Sequence, residues 1–192
     1  MRIHLGANFQ GYQAARELRD RLAAVGIDVN WLAAEEFDDN DDYPAISIRV
    51  AQAVVSDEDH GVYSRGIVVG GDGTGETIAC NKVAGARAIP ALSSDFVSAG
   101  RQHSDANVLI LPSAWLSAAE QDALIAVFID TPFSNHRDDA RRLINTAEFE
   151  TAGTIEGWTV DEGKITSIPA DPSDTGKFDS QRPGAAEAAR AD

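Results

Sequence analysis

Along the first two thirds of the chain, short apolar runs alternate with stretches whose apolar residues recur every three or four positions. Ile3-His4-Leu5 reads as a strand ending at Gly6. Ala15, Leu18, Leu22 and Val25 follow at helical spacing, and Gly26 is placed to stop that helix. Ile27, Val29 and Trp31 alternate as a second strand. The acidic stretch from Glu35 to Asp42 reads as a solvated loop. Asp42 suits a helix N-cap and Pro44 the first turn, with Ile46, Val50 and Val54 as the buried face. Gly66-Ile67-Val68-Val69 is continuously apolar, as a strand buried on both faces should be. A glycine-rich turn comes next, then a helix from about Glu76. A strand from Arg87 to Leu92, a helix from about Ser94 to near His103 and a strand over Val108 to Leu111 complete the sheet. Ser117-x-x-Glu120 is a capping box opening a helix that Thr131-Pro132 stops. A last helix runs from about Asp138 to Phe149.

This order predicts an α/β fold: a three-layer αβα sandwich around a Rossmann-like, five-stranded parallel sheet with right-handed crossovers. Residues 1–150 make this domain and residues 151–192 a C-terminal extension. Within the extension, 154–168 suggests a hairpin turning at Asp161-Glu162-Gly163. The Asp, Ser, Pro, Gly and Ala beyond it predict a flexible end or one draped over a neighbour. In such sheets ligands sit beyond the carboxyl ends of the strands, which points to the loops after the first, third and fourth.

Charge narrows the partners. Among 192 residues, 31 Asp and Glu oppose 16 Lys and Arg, a net charge of −15. Such a surface repels phosphate backbones and anionic lipid, so neither nucleic acid nor membrane is expected. Cys80 is the one cysteine, which excludes a disulfide scaffold and a cysteine-based metal site. His4, His60, His103 and His136 show no ligand spacing, and no metal or cofactor is expected. No apolar run approaches the ~20 residues that span a bilayer. The N-terminus carries no apolar signal segment. A cytoplasmic protein is the expectation.

Gly70-Gly71-Asp72-Gly73-Thr74-Gly75-Glu76 is the segment that suggests chemistry. Glycines let backbone N–H groups approach a ligand, and a helix start favours negative charge, so the loop suits an anion or oxyanion. A tight turn without a ligand would use the same residues. Gly70-Gly71-Asp72-Gly73-Thr74 resembles the short GGDGT signature of the NAD kinase and diacylglycerol kinase superfamily, which would make the protein a nucleotide kinase.

A second resemblance covers residues 1 to 150. Gly6-Ala7-Asn8-Phe9-Gln10-Gly11-Tyr12 follows the first strand, and Asp41-Asp42-Tyr43-Pro44 precedes the second helix. The glycine loop leads into Asn81-Lys82-x-x-Gly85-x-Arg87, then Arg101-Gln102-His103, Asn107-Val108-Leu109 and Thr131-Pro132-Phe133. This series resembles the ribose-5-phosphate isomerase B and galactose-6-phosphate isomerase family.

The resemblance implies an aldose–ketose isomerase working through a cis-enediol(ate). One branch of that family has a catalytic Cys where this chain has Gly70; another has a Glu at Glu76, which is the expected base here. A Glu in a helix's first turn is also ordinary helix chemistry. Cys80 does not replace the missing thiol and reads as a packing residue. Asp72 stands where the family has Ser or Thr; it would pair with Glu76 as acid and base, or simply complete the turn. His103 matches the histidine that helps open the sugar ring, with Ser104 beside it, and equally suits a helix C-terminus. Gly71, Gly73, Thr74 and Gly75 would give N–H donors to the enediolate. Asp42 and Tyr43 would border the pocket.

Other positions depart from the family. Asn8-Phe9 replaces an Asp-His pair that contacts substrate. Ala114 replaces an Arg. Of two arginines usual in the last helix, one aligns with Asp138 and the other with Arg141, with Arg137 able to compensate by a register shift. A sugar phosphate needs a local cationic clamp. The depleted set therefore predicts an atypical or unphosphorylated sugar, with Phe9 as an apolar wall. The resemblance also implies a homodimer, or a dimer of dimers, with shared active sites. A non-catalytic sugar-binding relative is the remaining alternative.

Overall fold

Six helices and five strands occupy residues 1–153, the part described by the computed structural model. The hairpin expected over 154–168 and the extension to 192 lie outside the described residues. The elements are β1 (Arg2–Ala7), α1 (Tyr12–Ala24), β2 (Asp28–Trp31), α2 (Tyr43–Asp59), β3 (Ser64–Gly70), α3 (Thr74–Cys80), β4 (Ala88–Pro90), α4 (Ser94–Ser104), β5 (Val108–Pro112), α5 (Ala118–Asp130) and α6 (Arg137–Ala152). The strands are parallel, in the order β2-β1-β3-β5-β4. This is the expected α/β sandwich.

Strand pleating divides the core. Ile67, Val69, Leu109 and Leu111 face one way, against Leu18 and Leu22 of α1, Val97 of α4 and Phe128 of α5. Val68, Val108 and Ile110 face the other, against Val50 and Val54 of α2 and Cys80 of α3. All seven strand residues are fully buried, so truncating one such as Leu109 to Ala costs about 2–5 kcal/mol. Cys80 is indeed packing: burial pushes its thiol up to about 12, too high for a nucleophile.

Three local expectations differ. Val25 is 74% exposed because the helix ends at Ala24 and Val25 is its C-cap. The fourth strand shrinks to Ala88–Pro90, since the Arg87 N–H donates to the Asn107 side chain instead of a strand carbonyl and the Leu92 N–H turns back to the Pro90 carbonyl. The third helix begins at Thr74, ahead of Glu76, because Gly73 takes a left-handed φ of 81° and starts it there.

One correction moves the site. The chain leaves β3 for the edge strand β4 and returns as β5 between them. The loop after β5, not the loop after β4, therefore adjoins the glycine turn. Ser113 donates from its N–H (2.9 Å) and its hydroxyl (2.7 Å) to the Gly70 carbonyl. Ala114 N–H donates to the Gly71 carbonyl at 3.1 Å.

Candidate active site

β2 lies to one side of β1 and β3 to the other, so the order of strand addition reverses here, and the crevice beyond the carboxyl ends of β1 and β3 is the natural ligand position. Glu76 fills the bottom of it. Its residue is 3% exposed, and Oε1 accepts a hydrogen bond from Asn8 Nδ2 at 3.1 Å. Asn8 has no choice of orientation. Its Oδ1 accepts the Gly11 N–H at 3.1 Å, which commits Nδ2 to the carboxylate. Gly11 is required for that approach, because a Cβ there would lie 2.0 Å from the Val69 carbonyl oxygen.

Gly70 makes room for the carboxylate. A Cβ at Gly70 would sit 2.0 Å from Glu76 Oε1. Any side chain at position 70, the family's cysteine included, is incompatible with Glu76 as placed. Burial pushes the Glu76 carboxyl above its ordinary value. Its own backbone N–H and that of Gly71 pull it back, while the charge of Asp72 adds to the rise. Among the described residues no cation offsets it; the direct side-chain partner is an amide.

The remaining predicted residues fall into two groups. Phe9, Asp42, Tyr43, Asp72, Gly71, Gly73, Thr74 and Gly75 lie in the loops and helix starts at the carboxyl edge, the same edge as Glu76. Phe9 N–H donates to the Asp41 carbonyl at 3.3 Å, which brings the β2–α2 loop over the first loop. The Tyr43 ring covers Gly75, where a Cβ would lie 2.6 Å from it. Phe9 and Tyr43 are 38% and 39% exposed and form an aromatic rim. Asp42 sits at the N-cap of α2 but makes no capping hydrogen bond. Asp72 is exposed, and its Oδ1 accepts the Thr74 N–H at 2.8 Å, so it does complete the turn. One expected donor is thereby engaged, the Thr74 N–H by Asp72.

His103 and Ser104 lie at the opposite edge, and α6, which carries Arg137 and Arg141, is tied to the end of α4 there by the His103–Asp139 pair. α4 ends at Ser104 and leads through Asn107 into the start of β5, which pairs with Gly66 rather than Gly70. The stretch of β3 from Gly66 to Gly70 separates the edges by about 13 Å at ~3.3 Å per residue. His103 and Ser104 instead line a groove of about 400 Å³ with Arg142 and Glu150 of α6. Within one chain, these four residues do not meet Glu76.

The Asn81…Gly85…Arg87 signature proves to be scaffold. Asn81 brackets Ala88, accepting its N–H and donating to its carbonyl, both at 2.9 Å. Arg87 donates to the Asp105 carbonyl (2.7 Å) and to Asp105 Oδ2 (3.1 Å). Two contributors escaped sequence reasoning. Gln10 overlies Gly71, with its Oε1 2.6 Å from where a Cβ would be, and Ser113 holds the Gly70 carbonyl. Gln10 lies inside the first motif, whereas Ser113 has no sequence signal, because its place follows from the strand order.

A buried carboxylate thus lies under a glycine turn at the crevice of a parallel sheet, with its carboxyl raised above its ordinary value. The family model described as Ribose/Galactose Isomerase matches residues 3–145. Ribose-5-phosphate isomerase B of Mycobacterium tuberculosis is 36% identical over 150 residues, covering 78% of this chain and 90% of that protein. The crystal structure of the Mycoplasma genitalium ribose-5-phosphate isomerase B, with bound ribulose-5-phosphate, superposes with a TM-score of 0.72 at 29% identity. It covers 79% of this chain and 97% of that one. The Clostridium thermocellum ribose-5-phosphate isomerase B gives 0.71 at 32% identity, covering 80% and 100%. The class is that of the aldose–ketose isomerases. The chain belongs to the ribose/galactose isomerase family. Among the described residues, no helix is long and apolar enough to cross a membrane.

Proposed function

We propose that this chain isomerises a small sugar through a cis-enediol(ate), with Glu76 as the proton carrier. The observation that carries the reading is the Glu76 carboxylate, buried in the β1–β3 crevice and aimed by Asn8. The carboxylate takes a proton from the carbon next to the carbonyl. The electron pair left behind forms the enediolate, whose oxygen the N–H groups of Gly73 and Gly75 would hold. Glu76 then returns the proton to the neighbouring carbon, so substrate and product are isomers. A carboxyl raised above its ordinary value is a stronger base once ionised, which suits this task.

The substrate in this proposal is an unphosphorylated or otherwise atypical sugar. Arg141 pairs with Asp138 at 3.5 Å, and Arg142 with Asp139 at 2.8 Å, so these cations face acids on their own helix. Ala114 and Phe9 add no charge. The relative from Mycoplasma genitalium holds ribulose-5-phosphate, and the family's phosphate contacts are the ones depleted here.

The working unit is a homodimer that joins the two groups of residues. α6 spans 16 residues, yet Asp139 is its one buried residue, while Ile144 and Phe149 are more than half exposed. A helix with so little burial needs a neighbour to be stable. A second copy laid across it would bring His103, Ser104, Arg137 and Arg141 to the partner's Glu76. A cytoplasmic setting belongs to the same proposal.

The assay compares ribose 5-phosphate with free pentoses, tetroses and hexoses, following exchange of substrate C–H with solvent deuterium. Faster turnover of a free sugar is expected, with all exchange lost in Glu76→Gln. Ordinary turnover of ribose 5-phosphate, lost in Arg141→Ala, would overturn the substrate assignment. Stabilisation by a sugar with no turnover would make the chain a binding protein instead.

A further inference from the structure

The carboxylate of Asp139 has no part in the chemistry above, yet it is the one buried residue of α6. Its Oδ2 faces His103 Nδ1 at 3.0 Å and accepts the Ser134 hydroxyl at 2.7 Å. Its Oδ1 accepts from Arg142 at 2.8 Å. Three partners from two segments and α4 fix this group in one place. Its hydrogen bonds to His103 and Ser134 hold it below the usual carboxylate range, so it is ionised at neutral pH and can only accept.

The partner histidine is therefore constrained. With Nδ1 against an ionised acceptor, the neutral ring must carry its hydrogen there, which leaves Nε2 bare. The His103 side chain is 57% exposed while that of Asp139 is 7% exposed, so the pair buries its anchor and presents its working end. The other charged groups of the groove are Arg87, Arg142 and Glu150; Arg142 is engaged by Asp139, and Glu150 accepts the Gly85 N–H. None of these reaches Nδ1.

We propose that Asp139 is a positioning residue that sets the tautomer of His103, so that Nε2 accepts the anomeric hydroxyl proton of a cyclic sugar. The pair opens the ring before Glu76 of the other copy moves the carbon-bound proton. As Nε2 takes the hydroxyl proton, the O–H electron pair becomes the new carbonyl bond. The ring C–O bond breaks toward the ring oxygen, which takes up a proton from solvent, and the imidazolium later releases its own. This step rests on the isomerase reading. The tautomer does not, and can be read without turnover.

Two measurements on the full chain test the proposal. In ¹⁵N-histidine NMR, with His103 assigned by His103→Gln, the neutral ring of the native protein is expected as the Nδ1–H form. Asp139→Asn should convert a substantial fraction to Nε2–H. An Nε2–H ring in the native protein, or no change in Asp139→Asn, overturns the proposal even if no sugar is turned over. In kinetics, Asp139→Asn should lower kcat on a ring-forming aldopentose by about 10- to 100-fold, less than the ~10²–10⁴-fold of a general acid–base group itself, because the ring remains in place. A ketotetrose cannot close a ring and should react at nearly the native rate. Asp139→Asn should add nothing in a His103→Gln background, because the carboxylate acts through the ring. Equal losses on both sugars, or an additive double variant, would assign Asp139 a structural role. Absence of turnover in every protein, with the tautomers as expected, would count against the isomerase reading alone.

Discussion

The two edges of the sheet treat their carboxylates in opposite ways. At the amino edge Asp105, Glu58 and Asp139 each meet a cation or an imidazole. Asp105 joins Arg87 at 3.1 Å and Arg101 at 2.7 Å, Glu58 faces Arg87 at 3.4 Å, and Asp139 holds His103 and Arg142. At the carboxyl edge Glu76 is buried against an amide and glycine backbone, with another acid, Asp72, close enough to raise it further. Asp139 is held below its ordinary value and Glu76 above. Paired acids stabilise the fold, whereas an acid buried without a cation is costly to ionise and therefore reactive. The edge that looks poorly built is the one where chemistry is expected.

Glu76→Gln is the hardest blow to this contrast. Deuterium exchange into substrate should fall by about 10³-fold or more, as expected for loss of the proposed base. The same substitution should raise Tm at pH 7 by on the order of 2 °C. A carboxyl raised in the folded state binds its proton more tightly there than in the unfolded chain. Stability therefore falls as pH rises from the unfolded value, near 4.5, through the folded one. The gain in Tm should accordingly vanish in melts below pH 4. A variant less stable than native at pH 7 would mean that Glu76 belongs with the paired acids.

Gly70→Ala comes next. The new methyl group must displace the Glu76 carboxylate, a flexible tip, so the fold should persist while kcat falls about 10²-fold from misplacement. Native kinetics with an intact fold would show that the observed placement of Glu76 is not needed. Asn8→Asp is smaller. It sets a like charge where an amide donates at 3.1 Å, so the acidic limb of kcat/KM should move up by about one pH unit. An unmoved limb would remove Asn8 from the site. Asn107→Ala tests the other edge. Asn107 is fully buried and joins Arg87 N–H, Glu58 and the Gly85 carbonyl. Denaturant melts should show a loss of about 2–3 kcal/mol, with turnover per folded molecule hardly changed.

What could be read from the sequence follows from which constraints are local. Strand and helix positions were legible because apolar period and caps act within a few residues; the Ser117–Glu120 box closes as expected. The glycine loop and Glu76 were legible because a strand, a turn and a helix start are contiguous. Asn8 was legible as a departure from the family but not in its role, since its amide is oriented by Gly11 and meets Glu76 across 68 positions. The loop after β5 was missed because strand order is a property of the whole sheet. Asp139 was visible only as an acid near depleted arginines. Its meaning lies in His103, 36 positions earlier.

The near-contact between position 70 and Glu76 ties the fates of two sites. A side chain gained at position 70 pushes the Glu76 carboxylate off its seat, and a glutamate gained at 76 beside a side chain at 70 cannot take the seat seen here. The two positions are therefore expected to vary together, each setting the space the other can fill.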